Sequence, residues 1–225
     1  MLNCGDLIDG MFGKSFHSRK HDDIYHQIYY ALKNYPFDRN ITTFAVLGNH
    51  DIDLLFHKNY DLKKKIIRER SDIVPIGYGD GVVNVKNDSI LLHHDLVIYD
   101  NKLDEENPEY KLILIGHNHI SQKKKSLESL SIYIPTLSDI MVTENKNTPR
   151  AVRMNLEFHN GYFSVGNFQR LIINKNVEVL SDFTYYFSKS DNTKTIKNEE
   201  KPKTYSKSGP SQIDKFNKRL SQKLS

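Results

Sequence analysis

Ile41-Thr42-Thr43-Phe44-Ala45-Val46-Leu47-Gly48-Asn49-His50-Asp51 is a β-branched, apolar run stopped by glycine and followed at once by an amide, an imidazole and a carboxylate. A short apolar run of this kind reads as a buried strand. Working outward, the same placement recurs three times. Asp6 follows Leu2-Asn3-Cys4-Gly5, His93-His94 follow Ser89-Ile90-Leu91-Leu92, and His117-Asn118-His119 follow Leu112-Ile113-Leu114-Ile115-Gly116. In open α/β sheets, ligands bind in the crevice beyond the C-terminal strand ends. Four such turns meeting in one place would gather donors suited to a divalent ion such as Mn, Fe(II) or Zn, without the thiolates of a structural zinc site. Glycines 5, 48 and 116 would permit the tight turns that put the next side chain at the strand mouth.

Around these turns the chain alternates. Ile24, Ile28, Leu32 and Tyr35 lie at helical spacing behind an Asp22 cap, and Pro36 ends that helix. Residues 61–70 read as a second surface helix. From Val82 onward strands dominate, and Asn160-Gly161 between two apolar-alternating runs signals a hairpin. Early helix–strand alternation with later hairpins predicts layered α/β or α+β architecture around a mixed sheet.

The 225 residues carry a formal charge of +4, distributed unevenly. Residues 188–225 hold ten Lys/Arg against four Asp/Glu, whereas residues 1–187 hold 22 against 24. The body is therefore close to neutral, which argues against a basic nucleic-acid-binding domain. Three segments are expected: one domain over 1–187, a disordered basic linker over 188–209, and an amphipathic helix over 210–225 built on Ile213, Phe216, Leu220 and Leu224 and docking back on the body. A single cysteine, Cys4, excludes an intramolecular disulfide framework and reads as a small buried strand residue. Mean hydropathy is −0.59 and no apolar run nears the ~20 residues of a membrane span. Cytoplasmic location, with no membrane partner, is the expectation.

Gly5-Asp6-Leu7-Ile8-Asp9-Gly10, Gly48-Asn49-His50-Asp51, a strand ending in His93, and Gly116-His117-Asn118-His119 resemble the calcineurin-like metallophosphoesterases in order and spacing over roughly residues 1–140. The resemblance implies a four-layer αββα sandwich of two mixed sheets flanked by helices. It implies two divalent metal ions (Mn, Fe or Zn) and hydrolysis of phosphate mono- or diesters by a metal-bound hydroxide. Asp6 would bridge the ions. Asn49, His93 and His117 would complete one shell, and His119 would belong to the other. His50 would face the phosphate as acid, its imidazole oriented by Asp51. A phosphate ester is the implied partner, with nucleic acid entering only as substrate.

His93 and His94 compete for one role, because successive strand residues point to opposite faces. His93, first past the apolar run, is taken as the ligand, with His94 as a substrate or supporting contact. Asp9 reads as a turn residue, and His17, His21, His26, His57 and His159 as surface histidines. Lys63-Lys64-Lys65 and Lys123-Lys124-Lys125 read as solvated faces; the second could attract an anionic substrate. The family also carries an Asp-x-His motif on a strand ahead of Gly-Asp, and here Gly5-Asp6 follows Met1 by four residues. The expectation is thus a chain lacking that first strand, with its first metal site incomplete. The rival is a non-catalytic member of the fold that serves as a binding module.

Overall fold

Leu2–Cys4 (β1) pairs in parallel with Thr43–Leu47 (β2), which pairs in parallel with Ile73–Tyr78 (β3). The computed structural model describes residues 1–10, 23–94, 110–117, 123–125, 129–135, 150–173 and 177–187. Between the parallel strands run three helices: α1 (Ile24–Asn34), α2 (Asn49–Lys58) and α3 (Leu62–Glu69). Asp23, not Asp22, caps α1, its carboxylate accepting from the Tyr25 N–H; Asp61 caps α3 through the Lys64 N–H. Ile28, Leu32, Leu62 and Ile66 bury the apolar faces of α1 and α3 beside Ile73 of β3.

A second sheet follows: Asp80–Val85 (β4), Asp88–His93 (β5), Leu112–Ile115 (β6), Lys123–Lys125 (β7) and Leu130–Tyr133 (β8), in the order β4-β5-β6-β8-β7. It is mixed. β5, β6 and β8 are parallel to one another, and the two outer strands run antiparallel to their neighbours. Its central strands are buried on both faces, as their unbroken apolar runs require. Ile90, Leu92, Leu112, Leu114, Leu130 and Ile132 pack with Cys4 and Val46 of the parallel sheet. Leu91, Ile113, Ile115 and Tyr133 form a separate cluster on the opposite face. Arg150–His159 (β9), Tyr162–Ile173 (β10) and Val177–Tyr186 (β11) make a third, antiparallel sheet whose Phe163, Phe168 and Tyr185 close the first of these cores. The β9–β10 hairpin turns at Asn160 (φ 52°) and Gly161 (φ 87°), as the sequence signal required.

The architecture is α/β with a mixed sheet. Among the described residues the three-stranded sheet is wholly parallel and the third sheet wholly antiparallel. All three described helices lie between residues 24 and 69, so a second helical layer is not among the described residues. None of them is long and apolar enough to cross a membrane. The expected linker over 188–209 and helix over 210–225 lie outside the described residues.

Arg70, at the end of α3, fastens the helices to the parallel sheet. Its guanidinium donates to the carbonyls of Leu32, Tyr35 and Pro36 and forms a two-pronged pair with Asp72 at 2.8 and 2.7 Å. The carbonyls at the C-terminus of α1 thereby gain a cation. The Arg70 hydrogen bond holds the Asp72 carboxyl below its usual range. Arg70→Ala should cost about 3 kcal/mol in urea denaturation at neutral pH, with Arg70→Lys recovering only part of it. Because the folded-state pKa of Asp72 is depressed, the pair's contribution is complete above the unfolded carboxyl value and lost as pH falls through the folded one. The gap between wild type and Arg70→Ala should narrow below about pH 4.

Candidate metal centre

Four strand ends meet at one mouth. The β1 chain leaves through Gly5 and Asp6, β2 through Gly48 into α2, and β5 and β6 through His94 and His117. Asp6 (φ 55°) and His117 (φ 77°) both hold left-handed backbone, an uncommon conformation for residues with a Cβ. Gly48 permits the close approach: a Cβ there would overlap the Asp6 carboxylate and crowd the His94 ring. Gly5 has φ 99°, which suits glycine, and a Cβ there would collide with His94.

The side chains converge. His94 Nε2 lies 3.2 Å from Asp6 Oδ2 and 2.9 Å from Asn49 Oδ1, and His117 Nδ1 lies 3.1 Å from the same Asn49 oxygen. The His94 and His117 rings meet edge to face at 5.2 Å, and ligand atoms of Asp6, His94 and His117 all lie within 4.8 Å of one another. His94 is 1% exposed, and its Nδ1–H donates to the Cys4 carbonyl at 2.6 Å. That bond assigns the tautomer and leaves the Nε2 lone pair facing the cluster, the usual arrangement of a metal-ligating histidine. Burial opposes charge on both His94 and Asp6, yet their mutual hydrogen bond and attraction prevail. They raise the imidazole and, together with the His50 charge, lower the carboxyl. That attraction holds the Nε2 edge of the ring against the carboxylate. A carboxylate, an amide oxygen and two imidazoles whose donor atoms already converge are a set that a divalent ion fits.

His94, not His93, is therefore what the structure brings to Asp6, Asn49 and His117. His93 shares the Leu91 side of β5, where its Nδ1 meets the Asp80 carboxylate at 2.5 Å. The reason is the two-residue period of the strand. Ile90 and Leu92 face Cys4 and Val46, and continuing that parity reaches His94. A run buried on both faces carries no sign of which face holds the site, so the sequence alone could not choose.

His50 stands beside the cluster. Its backbone N–H donates to Asp6 Oδ1 at 3.1 Å, its Nε2 lies 3.9 Å from Asp6 Oδ2, and its Nδ1 contacts the Asp9 carbonyl at 2.5 Å. Asp51 is turned to backbone amides. Its carboxylate accepts the backbone N–H groups of Leu7, Ile8 and Gly48 at 3.2, 3.3 and 2.9 Å, so it binds the Asp6 loop to the start of α2. Burial and the nearby Asp6 charge push Asp51 up to about 7 against those amides. Asp9 is the residue that sequence reasoning undervalued, since its carbonyl contacts the His50 ring. Because it acts through the backbone, its side chain gave no signal. His119 lies outside the described residues.

Fold and cluster together define an α/β protein with a metal-type donor set at the strand mouths. The calcineurin-like phosphoesterase family matches residues 1–137, and the chain belongs to that family. No curated protein matches it. Among solved structures, Vacuolar Protein Sorting 29 from Cryptosporidium parvum is similar, with 9% identity, 67% of this chain and 84% of that chain covered, and a TM-score of 0.43. Wild-type Vps29 from Entamoeba histolytica, solved with Zn²⁺, has 10% identity, covers 81% of this chain and 96% of that chain, and gives a TM-score of 0.41. A predicted phosphoesterase from Streptococcus pneumoniae TIGR4 has 11% identity, covers 64% and 82%, and gives a TM-score of 0.35.

The two histidines at the end of β5 carry opposite expectations. In calorimetric titration with Mn²⁺ or Zn²⁺, His94→Ala should weaken binding by about 100-fold or more, whereas His93→Ala should stay within about threefold of wild type. Equal losses in both variants would contradict the assignment.

Proposed function

We propose that this chain hydrolyses phosphate mono- or diesters at a dinuclear metal centre. The observation that carries the reading is the convergence of Asp6, Asn49, His94 and His117 on one mouth, with the His50 imidazole beside them. Divalent cations there would supply positive charge for the phosphoryl oxygens and acidify a water. One would be held by Asp6, Asn49, His94 and His117; Asp6 and His119 would serve a second.

The protein's own contribution lies in placement and proton handling. Asn49 offers an oxygen without adding negative charge, which keeps the site attractive to an anionic ester. The N-terminus of α2 points the His50 amide at the Asp6 carboxylate and favours anions at the same place. With His50 Nδ1–H given to the Asp9 carbonyl, Nε2 is the atom that carries a proton to the departing alkoxide.

Purified protein with Mn²⁺ should hydrolyse bis-p-nitrophenyl phosphate and lose that activity to a chelator. His50→Ala should lower kcat by about 10²-fold or more while leaving Mn²⁺ affinity near wild type. Metal binding without any turnover, across mono- and diester substrates, would instead support a binding module.

A further inference from the structure

Lys123 and Lys125 sit on the outer strand of the mixed sheet, and neither projects freely. Lys123 Nζ lies 3.8 Å from the centroid of the Phe183 ring and Lys125 Nζ 5.5 Å from that of Tyr185. Phe183 in turn stacks at 4.9 Å on the fully buried Phe168, so the lysine stems rest on an ordered aromatic wall. Arg170 lies two residues beyond Phe168 on the same face of β10, where Phe168 is opposite Phe183 and Arg170 opposite Ser181. Burial, Lys125 and Arg170 together lower the Lys123 pKa. Among the described residues no carboxylate pairs with any of the three, although Asp and Glu neutralise Lys64, Lys65, Arg70 and Lys111 elsewhere.

The register fixes where this strip lies relative to the metal centre. Lys123 is opposite Ile132, Ile132 opposite Leu114, and Leu114 opposite Leu92. These residues share the face of the sheet that ends in His94, one side-chain pair further along. Three strand spacings and one two-residue step put Lys123 about 16 Å from His94. Lys123 and Lys125 themselves are about 7 Å apart along β7, close to the repeat of phosphates in an extended single strand.

Given the phosphoesterase reading above, on which this substrate class rests, we propose that Lys123, Lys125 and Arg170 form a preorganised strip that binds the phosphates of a single-stranded nucleic acid leading into the metal centre. The rings beneath are already covered by lysine, so contact is through the backbone phosphates and is indifferent to base. An acidic peptide would need an extended backbone to hold its carboxylates at that spacing, whereas a nucleic-acid strand carries the repeat in its covalent backbone.

The test is fluorescence anisotropy of the full chain with a labelled oligodeoxythymidylate of about 12 nucleotides, between about 50 and 200 mM salt. The charge of residues 188–225 is common to every variant, so differences read the strip. Lys123→Gln/Lys125→Gln/Arg170→Gln should bind at least about tenfold more weakly, with a log–log salt slope shallower by about 2. Lys63→Gln/Lys64→Gln/Lys65→Gln, which removes the same charge from α3, should stay within about twofold. Arg170→Gln alone leaves both lysines on their rings and should shallow the slope by about 0.7, should the triple variant fold poorly. Equal losses in the strip and α3 variants, absence of salt-dependent binding, or tighter binding of an oligoglutamate of equal charge would each overturn the proposal. His94→Ala separates the two readings: it should lose metal yet keep the oligonucleotide affinity. Retained binding with no hydrolysis in wild type would sink the catalytic reading and leave the strip standing.

Discussion

A single buried carboxylate holds the candidate centre together. Asp51, 2% exposed, receives backbone N–H groups from Leu7, Ile8 and Gly48. These bonds join two segments more than 40 residues apart in sequence, the loop that carries Asp6 and the helix start that carries Asn49 and His50. Without the carboxylate three amides would face each other across a dry gap, each costing about 1–3 kcal/mol. Its own burial next to Asp6 is the opposing cost, visible in a pKa near 7. The hydrogen bonds set the distance between donors before any ion arrives.

The close packing around His94 extends the same constraint to the second sheet. Its ring is wedged between Gly5 and Gly48, and its Nδ1–H is spent on the Cys4 carbonyl of β1. The backbone N–H of His94 donates to the Gly79 carbonyl, and that of Gly116 to the His93 carbonyl. Hence β1, β2, β5 and β6 end at one level, and the mouth is defined by main chain as much as by side chains. Cys4 beside it is buried, its thiol pushed up to about 12, which makes it packing rather than chemistry.

Much of this was legible in residue order. Glycine after an apolar run marked the ends of β2 and β6, and the Asp-capped periodicity of α1 and the surface helix over 61–70 survived to within a residue or two. The first half of the chain is locally consistent, so pattern and packing agree. What escaped the sequence depended on long-range choices. The preference for His94 over His93 follows from which face of β5 meets β1, and a doubly buried strand conceals that. The role of Asp51 follows from a loop far away in sequence. β11 escaped because Glu178, Ser181, Asp182 and Thr184 break its apolar pattern; those residues are exposed and only Phe183, Tyr185 and Phe187 turn inward. β7, three lysines, reads as surface in any single-sequence treatment.

Asp6 and His117 both occupy left-handed backbone, a conformation that costs a residue with a Cβ on the order of 1–3 kcal/mol. The chain therefore spends folding energy at two positions of the candidate centre. A glycine at either would relax the main chain while deleting a donor, so loss of function there would come with a more robust fold. Random drift under selection for stability alone would erode the centre first and leave the scaffold intact. Asp6 and His117 would be the first positions to go, because there the stability of the main chain and the supply of donors pull in opposite directions.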